Sequence, residues 1–320
     1  DEEGHFDPEK FREQATQAQV KMIEIKLNQG AKPGQGGLLP AAKITAEIAA
    51  TRGIPMGQDC HSPAAHSAFS TPMGLMAFVQ QLRELSGGKP VGIKLCIGHA
   101  WEWFAIVKAM LKSGIVPDFI VVDGKEGGTG AAPVEFSDHI GVPLQEGLQL
   151  VHNTLIGAGL RSHIKIGCAG KVISAFDMAR MMALGADWCN AARGYMFALG
   201  CIQSLQCHTD RCPTGVTTQN LQRQKALDPV SKAERVQHFH ENTLKALKEM
   251  VQAAGLEHPN DITGAHIVRR VNEQEVQLLS RLLMQVKPMD LLQHDLRGLP
   301  EIFYHYWPIA QAETFACAMH

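Results

Sequence analysis

Short runs of β-branched and apolar residues alternate along the chain with longer stretches whose apolar positions recur every three or four residues. The short runs predict strands over 21–27, 54–60, 91–97, 118–123, 163–168 and 188–192, each ending in polar or glycine-rich sequence. The longer stretches predict helices over 41–51, 73–85, 101–112, 144–156, 175–184 and 195–205, with a longer amphipathic helix over 231–254 that Gly255 stops. Residues 1–20 read as a short acidic helix opened by Pro8, with Phe11, Ala15 and Ala18 on one side. Near the C-terminus, Val276, Leu278, Leu279, Leu282 and Leu283 predict one more helix. An aromatic tail follows at Phe303, Tyr304, Tyr306 and Trp307, expected to pack on the main fold or on sequence outside this chain.

Strands alternating with helices define an α/β protein with a parallel sheet, and strand ends rich in glycine and charge point to the (β/α)8 TIM barrel. A closed barrel needs eight βα units, whereas about six can be counted here. The first twenty residues are too short for two units of about 30 residues each. The expectation is therefore an incomplete barrel whose first two units are missing. The chain divides into an N-terminal helical segment (1–20), barrel units three to eight (21–219) and C-terminal helices with a tail (220–320).

Composition narrows the function classes. With 45% hydrophobic and 19% charged residues in 320, the chain can bury a sizeable core. Thirty basic against thirty-two acidic side chains give a formal net charge of -2, so no overall positive field exists to hold nucleic acid or an anionic bilayer. An anionic ligand must be met by a local cluster of cations. Eight cysteines are too sparse for a disulfide scaffold, and no signal peptide opens the chain, so a reducing cytoplasm is the expected compartment.

Residues just after barrel strands face the catalytic mouth, and here they carry the candidate chemistry. The first such loop holds Lys26, Gln29 and Lys32 among Gly30, Gly34, Gly36 and Gly37, a composition that suits a carboxylate or phosphate and equally a solvated surface loop. Arg52 closes the next helical stretch. Lys94 lies in a run expected to be buried, where an unpaired ammonium is costly, so it faces either a flavin edge or a carboxylate such as Asp123. Asp123, Gly127, Gly128, Thr129 and Gly130 form a loop whose glycines let backbone approach a ligand closely. Gly170 and Lys171, leading to Ser174, and then Arg193 and Gly194 follow the last two strands, where barrels place a phosphate on backbone N–H groups and a helix start.

Cys201, Cys207 and Cys212, the last followed by Pro213, bring three thiols within twelve residues. Zinc would want a fourth ligand better placed than His208, whereas iron–sulfur clusters take thiolates at such spacings, and three cysteines favour three irons. His66 and Cys60 sit at the level of the mouth. His152, His238 and His240 fall on helical patterns and read as surface or capping residues.

From Ile23 to about Gln219 these motifs, taken in order, resemble the FMN-binding synthase domain of glutamate synthases, in particular the stand-alone forms without an amidotransferase domain. The residues that carry the resemblance are Lys26 to Gly34, Gly127 to Ala131, Gly159 to Ser162, and Gly200 through Cys207 to Gly215. The resemblance implies FMN at the barrel mouth and a 3Fe-4S cluster on Cys201, Cys207 and Cys212. It implies 2-oxoglutarate bound by Lys26, Gln29, Lys32 and Arg52, and Lys94 along the flavin. It also implies a flavin phosphate at Gly170, Lys171, Arg193 and Gly194. The implied reaction is reductive amination of 2-oxoglutarate to L-glutamate through 2-iminoglutarate. Its partners would be ammonia or an amine donor, and an electron donor such as ferredoxin or a reductase subunit. In stand-alone relatives the region before the barrel can include a membrane anchor. Two departures are Leu38, where the family has glutamine, and a shortened segment around His66. The rival readings are an FMN barrel that oxidises a hydroxy acid, which needs no cysteine cluster, and a non-catalytic flavin and iron–sulfur electron carrier, which has no use for a lysine clamp.

Overall fold

A computed structural model describes residues 4–128 and 132–317. Its strands are β1 (Ile23–Lys26), β2 (Leu38–Leu39), β3 (Cys60–His61), β4 (Val91–Leu95), β5 (Phe119–Asp123), β6 (Lys165–Ala169) and β7 (Trp188–Asn190). Its helices up to residue 253 are α1 (Pro8–Ala15), α2 (Ala46–Arg52), α3 (Pro72–Leu85), α4 (Ala100–Ser113), α5 (Val134–His139), α6 (Leu144–Gly157), α7 (Ala175–Ala183), α8 (Arg193–Leu199), α9 (Leu221–Gln224) and α10 (Pro229–Ala253). Five strands form one parallel sheet in the order β1-β4-β5-β6-β7, open at both edges, so no barrel closes among the described residues.

Alternation along each strand sorts the side chains to two faces. Ile25, Ile93, Ile120, Val122, Ile166 and Cys168 join a core with α3, α4, α6 and α7, whose apolar residues are buried against them. Helix α4 is apolar around most of its circumference because α3, α6 and the C-terminal tail enclose it. The opposite face carries Gly92, Lys94, Phe119, Asp123, Gly167 and Trp188. Here two glycines make room for rings on the next strands: a Cβ on Gly92 would lie 2.4 Å from the Phe119 ring, and one on Gly167 2.4 Å from Trp188. The two rings meet edge to face at 5.8 Å.

The N-terminal ends of the strands are tied by a repeated device. Asp118 Oδ2 accepts the Val91 N–H at 2.7 Å and pairs with Arg83 at 2.9 Å. Asp187 Oδ2 likewise accepts the Ile166 N–H at 2.7 Å and pairs with Arg161 at 2.9 Å. Arg161 also donates to the carbonyls of Ile164 and Gly185, each at 3.0 Å, which gives the Gly159-Leu-Arg161-Ser motif a structural task far from the strand ends that carry chemistry.

Three expectations are corrected. Residues 54–60 do not add a sixth parallel strand: Pro55 and Gly57, the latter at φ 76°, interrupt the run, and only Cys60–His61 pairs, antiparallel to β2. Residues 276–283 do not form one helix. Val276–Leu278 alternates with period two and pairs as β9 with β8 (Val268–Arg270), and only Leu279–Leu282 is helical (α11). Helix α8 ends at Leu199, where Gly200 takes φ 106°, so Cys201 starts a loop. The aromatic tail does pack on the main fold. Phe303, on α12 (Glu301–Tyr306), and Trp307 each bring a ring centroid within 5.5 Å of Phe104. No helix among the described residues is long and apolar enough to cross a membrane.

Candidate active site

The C-terminal ends of all five parallel strands open into one cavity of about 700 Å³. Lys26 ends β1, Lys94 lies near the end of β4, Asp123 ends β5, Gly170 and Lys171 follow β6, and Arg193 follows β7; all of them line it. Gln29, Lys32, Gly127, Gly128, Cys201 and Cys207 line it too. Thus most of the residues singled out along nearly two hundred positions converge, because parallel strands deliver their following loops to the same end of the sheet.

Asp123, only 4% exposed, organises the floor. Its Oδ2 pairs with Lys94 Nζ at 3.4 Å and accepts the Gly30 N–H at 3.0 Å, so Lys94 has the carboxylate partner expected for it, and it also lines the cavity. A Cβ on Gly127 would come within 2.4 Å of Asp123 Oδ1, and one on Gly30 within 1.9 Å of the Gly124 carbonyl, so these glycines are dictated by close packing of two loops. Lys171 adopts φ 50° and Gly170 φ 140°, turning the backbone sharply before Ser174 caps α7 through a reciprocal bond with Asp177. Lys32 Nζ donates to the Gly36 carbonyl at 3.1 Å, which folds the first loop back on itself.

Charge is concentrated here. Six cationic side chains, Lys26, Lys32, Lys43, Lys94, Lys171 and Arg193, line the cavity against two carboxylates, Asp123 and Glu126. In a chain whose formal charge is -2, this is the local cluster that an anionic ligand requires.

Other candidates lie elsewhere. Arg52 is the last residue of α2, exposed, and does not line the cavity; Lys43, nine positions earlier, does. Gly194 is buried under the Phe239 ring, which a Cβ would meet at 2.5 Å, so it serves the packing of α8 on α10. Thr129 and Gly130 lie outside the described residues. Cys60 sits in β3, paired with the cavity-lining Leu39, and does not itself line the cavity. His66 stacks on Phe69 at 4.8 Å and lines a separate cavity of about 280 Å³. His152 is not a surface residue: it accepts the Arg161 Nε–H at 3.1 Å, and burial, helped by that guanidinium, lowers its pKa to about 4. It lines a second cavity of about 700 Å³ behind α6, far from the strand ends. His240 meets the Tyr195 hydroxyl at 2.5 Å, and His238 is exposed.

The cysteine loop forms one wall of the site. Cys201 Sγ accepts the Gln203 N–H at 3.5 Å, and the loop winds tightly, with Gln203, Leu205 and Asp210 all at positive φ. Cys212 is buried next to it. Burial opposes its ionisation, but the Thr214 hydroxyl, 3.5 Å from the sulfur, and the polar groups of Thr214 and Thr217 around it outweigh that and bring the thiol to about 6. Among the described residues no three His, Cys, Asp or Glu side chains, Cys201, Cys207 and Cys212 included, gather closely enough to hold a metal ion.

Reading from sequence alone missed Lys43, Glu126 and the apolar wall that Leu39 and Pro40 form with Leu38. Lys43 follows only the two-residue strand β2, too short to show as a run in the sequence. Glu126 stands among glycines, and its carboxylate accepts the Leu144 N–H at 2.9 Å, capping α6.

A parallel βα sheet with a cationic, glycine-lined cavity at its strand ends defines an α/β protein of the barrel type, with its ligand-sized cavity where such folds carry their chemistry. Residues 13–257 match the conserved region in glutamate synthase, and the chain belongs to that family. It is 40% identical over 282 residues to the glutamate synthase large subunit-like protein YerD of Bacillus subtilis, covering 88% of this chain and 53% of that protein. It is 38% identical over 261 residues to an archaeal glutamate synthase [NADPH] of Methanocaldococcus jannaschii, covering 80% and 50%. The chain therefore spans about half the length of these curated relatives. Among solved structures, a mutant flavocytochrome b2 with pyruvate bound aligns with a TM-score of 0.42 at 12% identity, over 77% of this chain and 47% of that one.

Proposed function

We propose that the cavity binds FMN together with a dicarboxylic 2-oxo acid, and that the chain carries the synthase site of a glutamate-forming reductive amination. The observation that carries this reading is charge balance. A phosphate monoester brings about -1.5 to -2 and a dicarboxylate brings -2, which together match the excess of four cations over carboxylates in the cavity. The volume, about 700 Å³, falls within the roughly 300–1,000 Å³ of small-molecule sites. Membership of the glutamate synthase family supports the same assignment.

The residues fit FMN. Gly170 and Lys171 turn at positive φ, and with Arg193 they place two cations and a glycine turn after the last two strands, where a phosphate would sit. Lys94, held by Asp123, would face the polar edge of the flavin ring. When bound, FMN supplies the hydride chemistry that no side chain can. The protein's part is positional: Lys26, Lys32 and Lys43 would bind the carboxylates of the oxo acid, Gln29 would orient it, and Leu38, Leu39 and Pro40 would exclude water from the reacting carbon. Ammonia or an amine donor enters as substrate, and electrons come from ferredoxin or a reductase subunit.

The cysteine loop supplies three thiols, the donor type of an iron–sulfur cluster, and Cys201 Sγ accepts an N–H, but the three sulfurs are not gathered around one metal position among the described residues. Three irons on Cys201, Cys207 and Cys212 belong to the proposal and are tested by iron and acid-labile sulfide analysis of anaerobically purified protein.

The deciding experiment uses the full-length protein. Released FMN, and 2-oxoglutarate-dependent oxidation of the reduced protein with ammonium to give L-glutamate by mass spectrometry, are the expected results. Absence of FMN, or turnover of a 2-hydroxy acid instead, would overturn the reading.

A further inference from the structure

The cavity is bounded by two rims that come from distant parts of the chain. One is the segment from Gly37 to Lys43, steadied by the β2–β3 pairing and by the Ala41 N–H, which donates to Asp59 Oδ1 at 2.7 Å. The other is the cysteine loop, whose Cys201, Gln203, Leu205 and Cys207 line the same cavity. Lys43 Nζ donates to the Cys207 carbonyl at 2.7 Å, across 164 positions of sequence. Among the described residues this is the one hydrogen bond between the two rims.

An ammonium has three donors, and the structure gives Lys43 a partner for one of them. Since Lys43 lines the cavity, its remaining donors are available to an anion inside it. We propose that Lys43 latches the cysteine loop over the cavity and at the same time shares its ammonium with a carboxylate of the bound oxo acid, so that substrate binding and loop closure reinforce each other. This deepens the functional reading above and rests on it for the identity of the anion. The physical reason is linkage. A carboxylate beside the ammonium polarises it and holds it in place, so a ligand that favours the latched state must itself bind more tightly when the latch is made.

A lysine is suited to this task. Its flexible stem can reach across the opening, and its three donors need not lie in one plane, whereas arginine keeps the charge but imposes a planar fork. The thiol chemistry of the loop gains from the same contact, because a loop tied at Cys207 keeps Cys201 and Cys207 at fixed places in the wall.

Hydrogen exchange of the amides from 201 to 208, followed by mass spectrometry on the full-length protein, reads the latch without recourse to activity. Lys43→Met should speed exchange of these amides tenfold or more while leaving the strands of the sheet unchanged. Adding 2-oxoglutarate should slow exchange in the wild type and have little effect in Lys43→Met, and Lys43→Arg should restore part of both effects. Unchanged loop exchange in Lys43→Met overturns the latch. Equal protection by 2-oxoglutarate in Lys43→Met and wild type overturns the shared ammonium. Calorimetry with 2-oxoglutarate separates the two readings. Faster exchange in ligand-free Lys43→Met supports the latch even if the wild type binds no oxo acid, whereas absence of binding would remove the functional reading together with the shared-ammonium half of this proposal.

Discussion

The Asp123–Lys94 pair is where the fold and the site depend on the same atoms, and its removal has a calculable consequence. Lys26 and Lys94 are register partners on adjacent strands, so their ammonium groups share one face of the sheet, and Asp123 is the carboxylate that compensates Lys94. Asp123→Asn keeps shape and an acceptor for the Gly30 N–H, so what it loses is the charge. Stranding a fully buried partner costs about 3–5 kcal/mol. The Lys94 side chain is 23% exposed and keeps some hydration, which brings the expected cost of Asp123→Asn to about 1–2 kcal/mol. Asp123→Ala also removes the acceptor at 3.0 Å from Gly30, a charge-assisted bond of about 1.5–3 kcal/mol, for a total of about 2.5–5 kcal/mol. Urea unfolding at neutral pH measures both. A double-mutant cycle sharpens the test, because Lys94→Met in the Asp123→Asn background removes the stranded charge and should recover stability. If Asp123→Asn lies within about 0.5 kcal/mol of wild type, or if the two substitutions simply add, the ion pair does not do what is claimed for it.

Stability should fall as pH drops from about 6.5 towards 4, because burial and Arg161 lower the pKa of His152 in the folded state to about 4 and the unfolded chain binds the proton first. The full effect is up to ~3 kcal/mol, and His152→Gln, which can still accept from Arg161, should flatten that part of a denaturation profile measured across the range. For the proposed activity, Lys26→Ala should raise the apparent constant for 2-oxoglutarate roughly ten- to a hundredfold, while Arg52→Ala, outside the cavity, should leave it nearly unchanged. Equal effects of the two in steady-state kinetics would show that the cavity is not the substrate site. Gly92→Ala should lower the melting temperature, since its Cβ would meet the buried Phe119 ring at 2.4 Å, at a cost of about 1–3 kcal/mol; calorimetry showing no shift would mean that the ring can yield.

The alternation of short and long apolar periods determined the fold class by itself, because a strand and a helix bury their faces at different intervals, and the parallel strands of the sheet lie within two residues of where those runs place them. The same patterning marked the strand-end loops, and parallel topology obliged them to meet, which is why Lys26, Lys94, Asp123, Lys171 and Arg193 were legible before any coordinates. Periodicity could not tell that 54–60 is interrupted, since Pro55 and Gly57 act through backbone geometry, or that Val276–Leu278 would find an antiparallel partner. Nor could local sequence rank Arg52 against Lys43. Both are cations at the two ends of the one helical stretch predicted over 41–51, and only the path of the chain across the cavity brings one to the Cys207 carbonyl and leaves the other in solvent. The ion pair of Lys94, the burial of His152 and the closing of the two rims are likewise tertiary facts, fixed by which distant groups are near enough for Coulomb and hydrogen-bond energies of a few kcal/mol to act, energies that have no counterpart in a pattern of neighbours along the chain.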